Sequence, residues 1–393
     1  MKAVYIPVGA TGHVLASLPM VQALTEKGVS VAYFAPERYR TAVEGTGAIF
    51  HPMPAVAAKG PVEGGGDFLA NLPLVFLGEA EGVIGSILPV IEAFAPDVIL
   101  ADELALAGRL AAKKLGLPLV MVFTSYAPCA EFSICRLWPE VSENHPARMA
   151  ARALAARFSQ EYGVPPLDLF AIFEGTGDFN ISTLTRAFQP KGRCFGEDFY
   201  FAGAQIAPRA GAAPWQPPQD GRPVVYTSLG SLFNDWPEFY SMLFPVARET
   251  DAHFVCALGG TLTRETLGAV PRNVTLLPFA PQLDILPHTD CFITHAGTGS
   301  AMEALYFGAP CVCLPQMEEQ QLTASRLVKL GGAQRTIRRS ALTQQTLFEA
   351  IDTALHDEAF RARVRAASEQ TRALSSAQGA AEAVLRFMEG RKA

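Results

Sequence analysis

A strand, a glycine loop, a helix and a second strand follow one another at the start of both halves of the chain, and this pattern constrains the fold most. In the first half, a β-rich run at residues 3–9 meets glycines, residues 14–27 are apolar at helical spacing, and residues 29–34 are again β-rich. Further β-rich runs occupy residues 97–102 and 117–123. Short apolar runs that alternate with helices are typical of a parallel sheet covered by helices.

The second half restarts this pattern at residues 223–231, and four more short β-rich runs follow, at 253–259, 273–279, 291–297 and 311–316. Between the halves the chain is rich in proline, glycine and alanine, which is typical of a linker. We therefore predict an α/β protein with two doubly wound, Rossmann-like domains that face each other across a cleft. The predicted boundaries are a first domain at 1–207, a linker at 208–222 and a second domain at 223–393, whose C-terminal helix packs back on the first domain.

Composition narrows the class of protein and the compartment. A length of 393 residues favours two domains, and a net charge of −6 argues against nucleic acid as a partner. The seven cysteines form no CxxC pair, so we expect buried, reduced thiols rather than a metal knuckle. We find no secretory signal and no run of 18 or more uncharged apolar residues, and we therefore expect a cytoplasmic protein without a membrane span.

The first glycine loop, VGATGHVL at residues 8–15, begins like a nicotinamide-dinucleotide fingerprint. In that fingerprint the third glycine allows the helix to approach a pyrophosphate closely. Here Leu15 occupies its position, so this close approach is not provided for. The acidic ribose clamp expected after the next strand is poorly matched, because Ala35 and Pro36 stand there. The alternative that the protein is a dinucleotide dehydrogenase therefore depends on this loop alone. We interpret the loop as a turn that exposes His13 for chemistry.

The second glycine loop, residues 295–300, reads HAGTGS and leads from a strand into a helix. Backbone N–H groups at a helix N-terminus and the positive end of the helix dipole are suited to a phosphate. Taken alone, Ser300 and Glu303 form a capping box, which would need no ligand. The local sequence thus favours plain helix capping.

A longer stretch around this loop resembles the donor-binding signature of the family-1 glycosyltransferases, which use nucleotide sugars and have the two-domain GT-B fold. The matching elements are Phe279-x-Pro281-Gln282, His295-x-Gly297-x-x-Ser300-x-x-Glu303, Gly308-x-Pro310, and Pro315 followed by Glu319-Gln320. Residues 226–240 resemble the bacterial macrolide-glycosyltransferase branch. The resemblance runs the full length and is weakest at residues 55–90 and 130–200.

The resemblance implies a role for each residue of the donor site. Phe279 would stack on a uracil or thymine base, Gln282 would bind around the base and ribose, and Glu303 would take the ribose hydroxyls. Glu319 and Gln320 would bind the sugar, and the diphosphate would be held by His295, Gly297, Thr298, Gly299 and Ser300, with Ser231 from another loop. The family usually has a large residue and an asparagine in place of Thr298 and Gly299, and often an aspartate in place of Glu319. UDP-glucose is the usual donor of these relatives, and dTDP-hexoses remain an alternative.

In this family the histidine of the first glycine loop is the general base, and His13 falls on that position. An aliphatic hydroxyl hardly ionises at neutral pH, so its attack on a sugar needs a base with a pKa near the working pH. Asp102, at the end of a β-rich run, lies where the family has the carboxylate that orients the histidine. We expect a single inverting displacement that uses no metal and no cofactor. The absence of the Asp-x-Asp motif of the metal-dependent transferases is consistent with this expectation.

Aromatic residues in irregular segments of the first half suggest an apolar small-molecule acceptor. Most of them are expected in the core, and those taken as acceptor-binding are Phe76, Phe132 and Trp138, out of a set that also includes Phe68, Phe170 and Phe173. Two other functions stay open at this point. One is a catalytically silent nucleotide-binding relative or helper of a partner transferase, and the other is an epimerase of the same fold that acts on the nucleotide sugar.

Overall fold

A computed structural model describes residues 1–54, 66–164, 171–207, 215–230, 234–260 and 262–391. The chain forms two compact units, one of residues 1–210 together with 376–393, and one of residues 211–375. The C-terminal segment therefore belongs to the first unit, and the second unit ends before it.

The first unit is built on a parallel sheet with the strand order β3-β2-β1-β4-β5-β6-β7. Its strands are β1 Lys2–Ile6, β2 Ser30–Ala35, β3 Ile49–Pro52, β4 Val98–Asp102, β5 Leu119–Phe123, β6 Phe179–Ser182 and β7 Phe199–Phe201. Its helices are α1 Thr11–Glu26, α2 Arg40–Glu44, α3 Gly66–Phe94, α4 Leu106–Leu115, α5 Pro146–Tyr162 and α6 Ala171–Glu174. The central strands are buried on both faces, which explains why they are apolar runs without alternation.

The second unit repeats the architecture with the strand order β10-β9-β8-β11-β12-β13. Its strands are β8 Val224–Ser228, β9 His253–Ala257, β10 Val274–Leu277, β11 Cys291–Thr294, β12 Cys311–Cys313 and β13 Ala333–Thr336. The helices that follow are α7 Pro237–Glu249, α8 Arg264–Leu267, α9 Gln282–Ile285, α10 Thr298–Phe307, α11 Glu318–Leu330, α12 Gln344–His356, α13 Glu358–Ala373 and α14 Ala377–Gly390. The last of these, α14, belongs to the first unit, where it packs on α1, β6 and β7.

Each sheet reverses its strand order at one place, and this place positions the candidate site. In the first sheet β1 pairs with β2 on one side and with β4 on the other, and β8 pairs in the same way with β9 and β11. At such a reversal the two crossover connections leave toward opposite faces and open a crevice at the carboxyl ends of the strands. The segments after β1 and β4, and those after β8 and β11, therefore border the two crevices.

Helices cover both faces of the first sheet. One face packs against α1 and α14, where the stacked rings of Tyr5 and Tyr33 lie 5.0 Å apart between centroids. The other face packs against α3, α4 and α5. By length and composition, residues 68–94 of α3 could cross a membrane, but core helices pass the same test, and the buried residues of α3 pack into this layer.

The cysteines are all free thiols, and five of them are buried as expected. The expectation is wrong for Cys129 and Cys194, which are half-buried and place their sulfur atoms 2.7 Å apart. Both lie outside the regular elements that form the core, Cys129 after β5 and Cys194 in a 3₁₀ turn. They therefore stay partly open to solvent.

We predict that Gly108→Ala destabilises the first unit by about 1–3 kcal/mol, because a Cβ atom there would lie 2.6 Å from Cβ of Ala101 on β4. Gly85→Ala in the exposed part of α3 is the matched control, since a Cβ there meets no atom within 4 Å. That control should gain about 0.4–1 kcal/mol. Urea unfolding followed by circular dichroism measures both, and equal stability of the two variants would contradict the close packing of α4 on β4.

Candidate active site

The first glycine loop is shaped by side chains distant in sequence. The N–H of Gly9 donates to Oε1 of Glu79 on α3 at 3.3 Å, and Nη2 of Arg38 donates to the Gly9 carbonyl at 2.7 Å. The hydroxyl groups of Thr11 and Tyr39 are 2.7 Å apart. The N–H of Gly9, which a pyrophosphate would need as a donor, is already bonded to the carboxylate of Glu79. The loop is therefore not suited to a dinucleotide.

His13 lies in the first turn of α1 and not in the preceding turn, because the helix begins at Thr11, three residues before the predicted helical run at 14–27. Its Nδ1 atom is 2.7 Å from Oδ2 of Asp102, the last residue of β4. Asp102 is fully buried, and its other oxygen accepts from the N–H of Leu104 at 2.9 Å. The side chain of His13 is 21% exposed, so the buried carboxylate orients a partly accessible imidazole. The structure thus brings the two predicted catalytic residues together.

Two residues that the sequence reasoning missed complete this group. Oγ1 of Thr124, just after β5, is 2.9 Å from Nδ1 of His13, and it also donates to Oε1 of Glu103 at 3.2 Å. Burial, and next the charge of Asp102, raise the pKa of Glu103 to about 7. The only sequence signal was position, since Glu103 follows Asp102 directly and Thr124 directly follows the β-rich run at 117–123.

Among the described residues, one group of three histidine, cysteine, aspartate or glutamate side chains has all its potential metal-ligand atoms within 4.8 Å of one another. This group is His13, Asp102 and Glu103. By type and distance they could hold a divalent cation. These atoms already make hydrogen bonds: His13 is bonded to Asp102, and Glu103 accepts from the N–H groups of Thr124 and Ser125. The three side chains therefore form a hydrogen-bonded cluster around the imidazole of His13.

The second glycine loop differs from the capping box that its local sequence favours. Helix α10 begins at Thr298 with Gly297 as its N-cap, and no side chain caps it. Ser300 is therefore the third helical residue, and its hydroxyl accepts from Nε2 of Gln282 at 3.2 Å. The capping interpretation is wrong because Ala296, at φ 64°, turns the chain into the helix three residues earlier than a cap at Ser300 requires. The helix N-terminus keeps the polarity that attracts an anion.

The ring of His295 lies against two glycines. A Cβ atom at Gly230 would lie 2.8 Å from Nε2 of His295, and one at Gly297 would lie 2.6 Å away. Only glycine at both positions lets the loops after β8 and β11 enclose the imidazole. Burial lowers the pKa of His295 to about 4, so the ring is neutral at neutral pH and carries one N–H donor.

The predicted base and ribose residues form one network. Nε2 of Gln282 donates to Oε2 of Glu303 at 2.5 Å, and the hydroxyl of Tyr226 donates to Oε1 of Gln282 at 3.2 Å. Tyr226 itself stacks on Phe292 with ring centroids 5.0 Å apart. Tyr226 on β8 was not among the predicted site residues. It fixes the amide of Gln282, which in turn aligns Glu303.

Phe279 is 76% exposed, which contradicts a role in core packing. Its ring lies over Gly260, where a Cβ atom would come within 2.9 Å of the ring. A large aromatic ring held in place yet open to solvent presents a face on which a planar base can stack.

The predicted sugar-binding and phosphate-binding residues differ in their placement. Glu319 is partly exposed in the first turn of α11. Gln320 is buried, and its Oε1 accepts from the N–H of Gln316 at 2.7 Å, so this oxygen holds the local backbone instead of a ligand. Thr298 and Gly299 occupy the first turn of α10. Ser231 lies outside the described residues.

The aromatic residues expected to bind an acceptor fall into two groups. Phe76 and Trp138 both pack edge-on against Phe173, with centroids 5.6 and 5.0 Å from it. Phe132 instead packs against Tyr126 at 6.0 Å. Phe76, Phe132 and Trp138 are half-buried, and Phe173 is buried. Phe170 lies outside the described residues, and Phe68 is half-buried.

Comparison with known proteins agrees with this geometry. Residues 215–372 match the family model described as UDP-glucoronosyl and UDP-glucosyl transferase, and this range includes the whole donor signature. Over 386 residues the chain is 31% identical to NDP-glycosyltransferase YjiC of Bacillus licheniformis, and the alignment covers 96% of each protein. The chain is a family-1 glycosyltransferase.

This glycosyltransferase is also similar to the demethyllactenocin mycarosyltransferase of Streptomyces fradiae, with 32% identity over 342 residues, which cover 82% of the chain and 72% of the relative. Among solved structures, the glycotransferase of kitacinnamycin superposes with a TM-score of 0.85 at 27% identity, covering 98% of this chain and 99% of that one. The fold is thus GT-B, and the bacterial macrolide-glycosyltransferase resemblance is confirmed. Because the family transfers sugars from nucleoside diphosphates, the dehydrogenase alternative is excluded.

We predict that the imidazole of His295 titrates near pH 4 in the ligand-free glycosyltransferase, because burial disfavours its charged form. The unfolded imidazole takes its proton near pH 6.5. Between these two values the unfolded chain binds more protons, so the contribution of this group to the free energy of unfolding falls as pH is lowered from about 6.5 to 4. An NMR pH titration, with the resonance assigned by its loss in His295→Gln, measures the midpoint. A midpoint near 6.5 would contradict the enclosed ring.

Proposed function

We propose that this glycosyltransferase moves a hexose from a UDP- or dTDP-linked donor, with UDP-glucose favoured, to a hydroxyl of an apolar small-molecule natural product. His13 removes the proton of that hydroxyl, and the configuration at the anomeric carbon inverts. The observation that carries the proposal is the 2.7 Å contact between Nδ1 of His13 and the buried carboxylate of Asp102.

This contact determines what the imidazole can do. A carboxylate only accepts hydrogen bonds, so it holds the proton on Nδ1 and leaves the lone pair on Nε2. Nε2 takes the proton of the acceptor hydroxyl while the oxygen forms a bond to C1 of the sugar. The bond from C1 to the phosphate oxygen breaks, and the nucleoside diphosphate leaves with the electron pair. Asp102 stabilises the imidazolium that forms.

The second unit supports the role of donor binding. Phe279 offers an exposed ring to the base, and the amide of Gln282 holds the carboxylate of Glu303, which we assign to the ribose hydroxyls. The N-terminus of α10 and the neutral ring of His295 supply donors for the diphosphate, and their polarity meets the charge of the leaving group without a metal or another cofactor. The role of Ser231 at the diphosphate stays a prediction.

Sugar and acceptor recognition follow from the exposed side chains. We assign the sugar hydroxyls to Glu319 first, because it is partly exposed, whereas Gln320 is buried and its side-chain oxygen accepts from the N–H of Gln316. The rings around Phe173 and the separate Phe132 offer apolar contact surface to an acceptor. The Streptomyces fradiae relative, named for transfer of mycarose to demethyllactenocin, supports a natural-product acceptor.

We predict that His13→Ala lowers transfer to an aliphatic alcohol by about 10²- to 10⁴-fold, the usual contribution of a general base. Transfer to a nitrophenol, which ionises near neutral pH and needs no base, should be affected far less. His356→Ala is the control, since this histidine is 65% exposed at the end of α12 and should leave both rates unchanged. Initial rates by liquid chromatography, with the anomeric coupling constant of the product by NMR, test the base and the inversion.

An equal loss with both acceptors would show that His13 acts structurally and would contradict the assignment of the base. Retention of configuration would contradict the single displacement. If wild-type protein binds nucleotide but transfers sugar to no member of a broad acceptor panel, the catalytically silent relative replaces our proposal.

We predict that Phe279→Ala weakens binding of UDP by about 5- to 150-fold, because stacking of a base on an aromatic ring contributes about 1–3 kcal/mol. The ring is 76% exposed, so the variant should unfold at the wild-type temperature. Leu374→Ala, which removes another exposed apolar side chain of the second unit, is the control and should bind UDP normally. Calorimetric titration with UDP and with dTDP measures both affinities and shows which base is preferred. Unchanged affinity in Phe279→Ala would contradict stacking at this ring.

A further inference from the structure

Two side-chain oxygens, from different strand ends, approach the same nitrogen of His13. Nδ1 lies 2.7 Å from Oδ2 of Asp102 and 2.9 Å from Oγ1 of Thr124. A carboxylate can only accept, but a hydroxyl can either donate or accept. Whether Thr124 supports or opposes a proton on Nδ1 therefore depends on where its own hydrogen points.

Glu103 determines that direction. It is buried, and its two oxygens accept from the N–H groups of Thr124 and Ser125, each at 3.0 Å. Oγ1 of Thr124 lies 3.2 Å from Oε1 of the same carboxylate. Because an ionised carboxylate has no hydrogen to give, the hydroxyl donates its single hydrogen to Glu103 and turns a lone pair toward Nδ1 of His13.

We propose that Glu103, acting through the hydroxyl of Thr124, is a positioning residue that holds His13 in the tautomer protonated on Nδ1. Asp102 and Thr124 then form two acceptors for one N–H, and the lone pair of the imidazole is confined to Nε2. The catalytic consequence rests on the proposed function of His13 as the base, whereas the tautomer itself does not.

The charges around Glu103 make this device sensitive to pH in the neutral range. The groups that face it are Asp102 beside it on β4, His13 on α1 and the phenol of Tyr5 on β1. Glu79 on α3 acts in turn on Asp102 and His13. Burial and the charge of Asp102 raise the pKa of Glu103 to about 7, while the charge of His13 opposes the rise.

The direction of the pH effect follows from this pKa. Above about pH 7 Glu103 is ionised and accepts from Thr124. Below it, the carboxyl carries a hydrogen that it can donate to Oγ1, and the hydroxyl of Thr124 is then able to donate to His13. A hydroxyl that donates to Nδ1 favours the opposite tautomer, with the hydrogen on Nε2. The preference for the Nδ1–H tautomer should therefore weaken as pH falls through about 7.

The test uses three variants of the full chain and a readout that needs no substrate. Glu103→Gln keeps the size of the side chain but can donate to Oγ1, Thr124→Val keeps the shape but removes the hydroxyl, and Thr124→Ser restores the hydroxyl. Imidazole ¹⁵N chemical shifts of the ligand-free protein, assigned by their loss in His13→Ala, report the tautomer. We expect wild type and Thr124→Ser to be protonated on Nδ1 at pH 8, and Glu103→Gln and Thr124→Val to show an increased Nε2–H population.

The kinetic readout accompanies the spectra. For an aliphatic alcohol acceptor we expect kcat to fall about tenfold in Glu103→Gln and in Thr124→Val, with an unchanged KM for the donor and near wild-type kcat in Thr124→Ser. We expect kcat of wild type to change with pH near pH 7, and this change should be absent in Glu103→Gln. If Glu103→Gln does not fold, as judged by circular dichroism, the comparison of Thr124→Val with Thr124→Ser tests the proposal.

The outcomes separate this inference from the proposed function. Identical tautomer populations in wild type, Glu103→Gln and Thr124→Val would overturn the inference, as would a wild-type ring protonated on Nε2. If the tautomers change as expected but His13→Ala transfers sugar normally, the positioning stands and the base assignment fails. If His13→Ala loses transfer but the tautomers do not respond, the base stands and the inference fails.

Discussion

The reversal of strand order between β1 and β4, and again between β8 and β11, is the constraint on which the rest of the structure depends. Parallel strands end at the same edge of a sheet, and at a reversal the two neighbouring connections diverge and leave a crevice. His13 follows β1 and Asp102 ends β4, so their 2.7 Å contact exists only because these two strands pair. In the second unit the loops after β8 and β11 meet around His295 for the same reason.

The two glycine loops have similar local sequences and opposite electrostatic surroundings. The first is bordered by the carboxyl groups of Glu79, Asp102 and Glu103, whose negative charge would stabilise a protonated imidazole. The second opens into the uncapped N-terminus of α10 beside a neutral imidazole, which suits a diphosphate. One loop thus has negative charge around an imidazole, and the other has the positive end of a helix.

The sequence allowed prediction of the central strands of both sheets, because fully buried parallel strands are apolar runs that stand out between helices. It did not reveal β3, β6, β7 and β13, which are short and lie toward the sheet edges. Family resemblance also allowed prediction of His13 with Asp102 from the first glycine loop, and of the donor residues from a signature at residues 279–320. It did not identify Glu79, which shapes the first loop from the middle of α3, or Tyr226, which fixes Gln282 from β8. Neither contact has a sequence pattern, since each joins residues more than fifty positions apart.

The sequence by itself determined the α/β class, the two restarts of the fold, the family and the residue types of the site. The local sequence was misleading at Ser300, where a capping box was expected, and it did not show that the oxygen of Gln320 accepts from the N–H of Gln316. Only the tertiary structure decided that Phe279 is exposed and that His295 lies against two glycines. It also decided that Thr124 contacts His13 and donates to Glu103. The physical reason is that exposure, pKa and hydrogen-bond direction depend on which strands pair, and strand pairing is a property of the whole sheet.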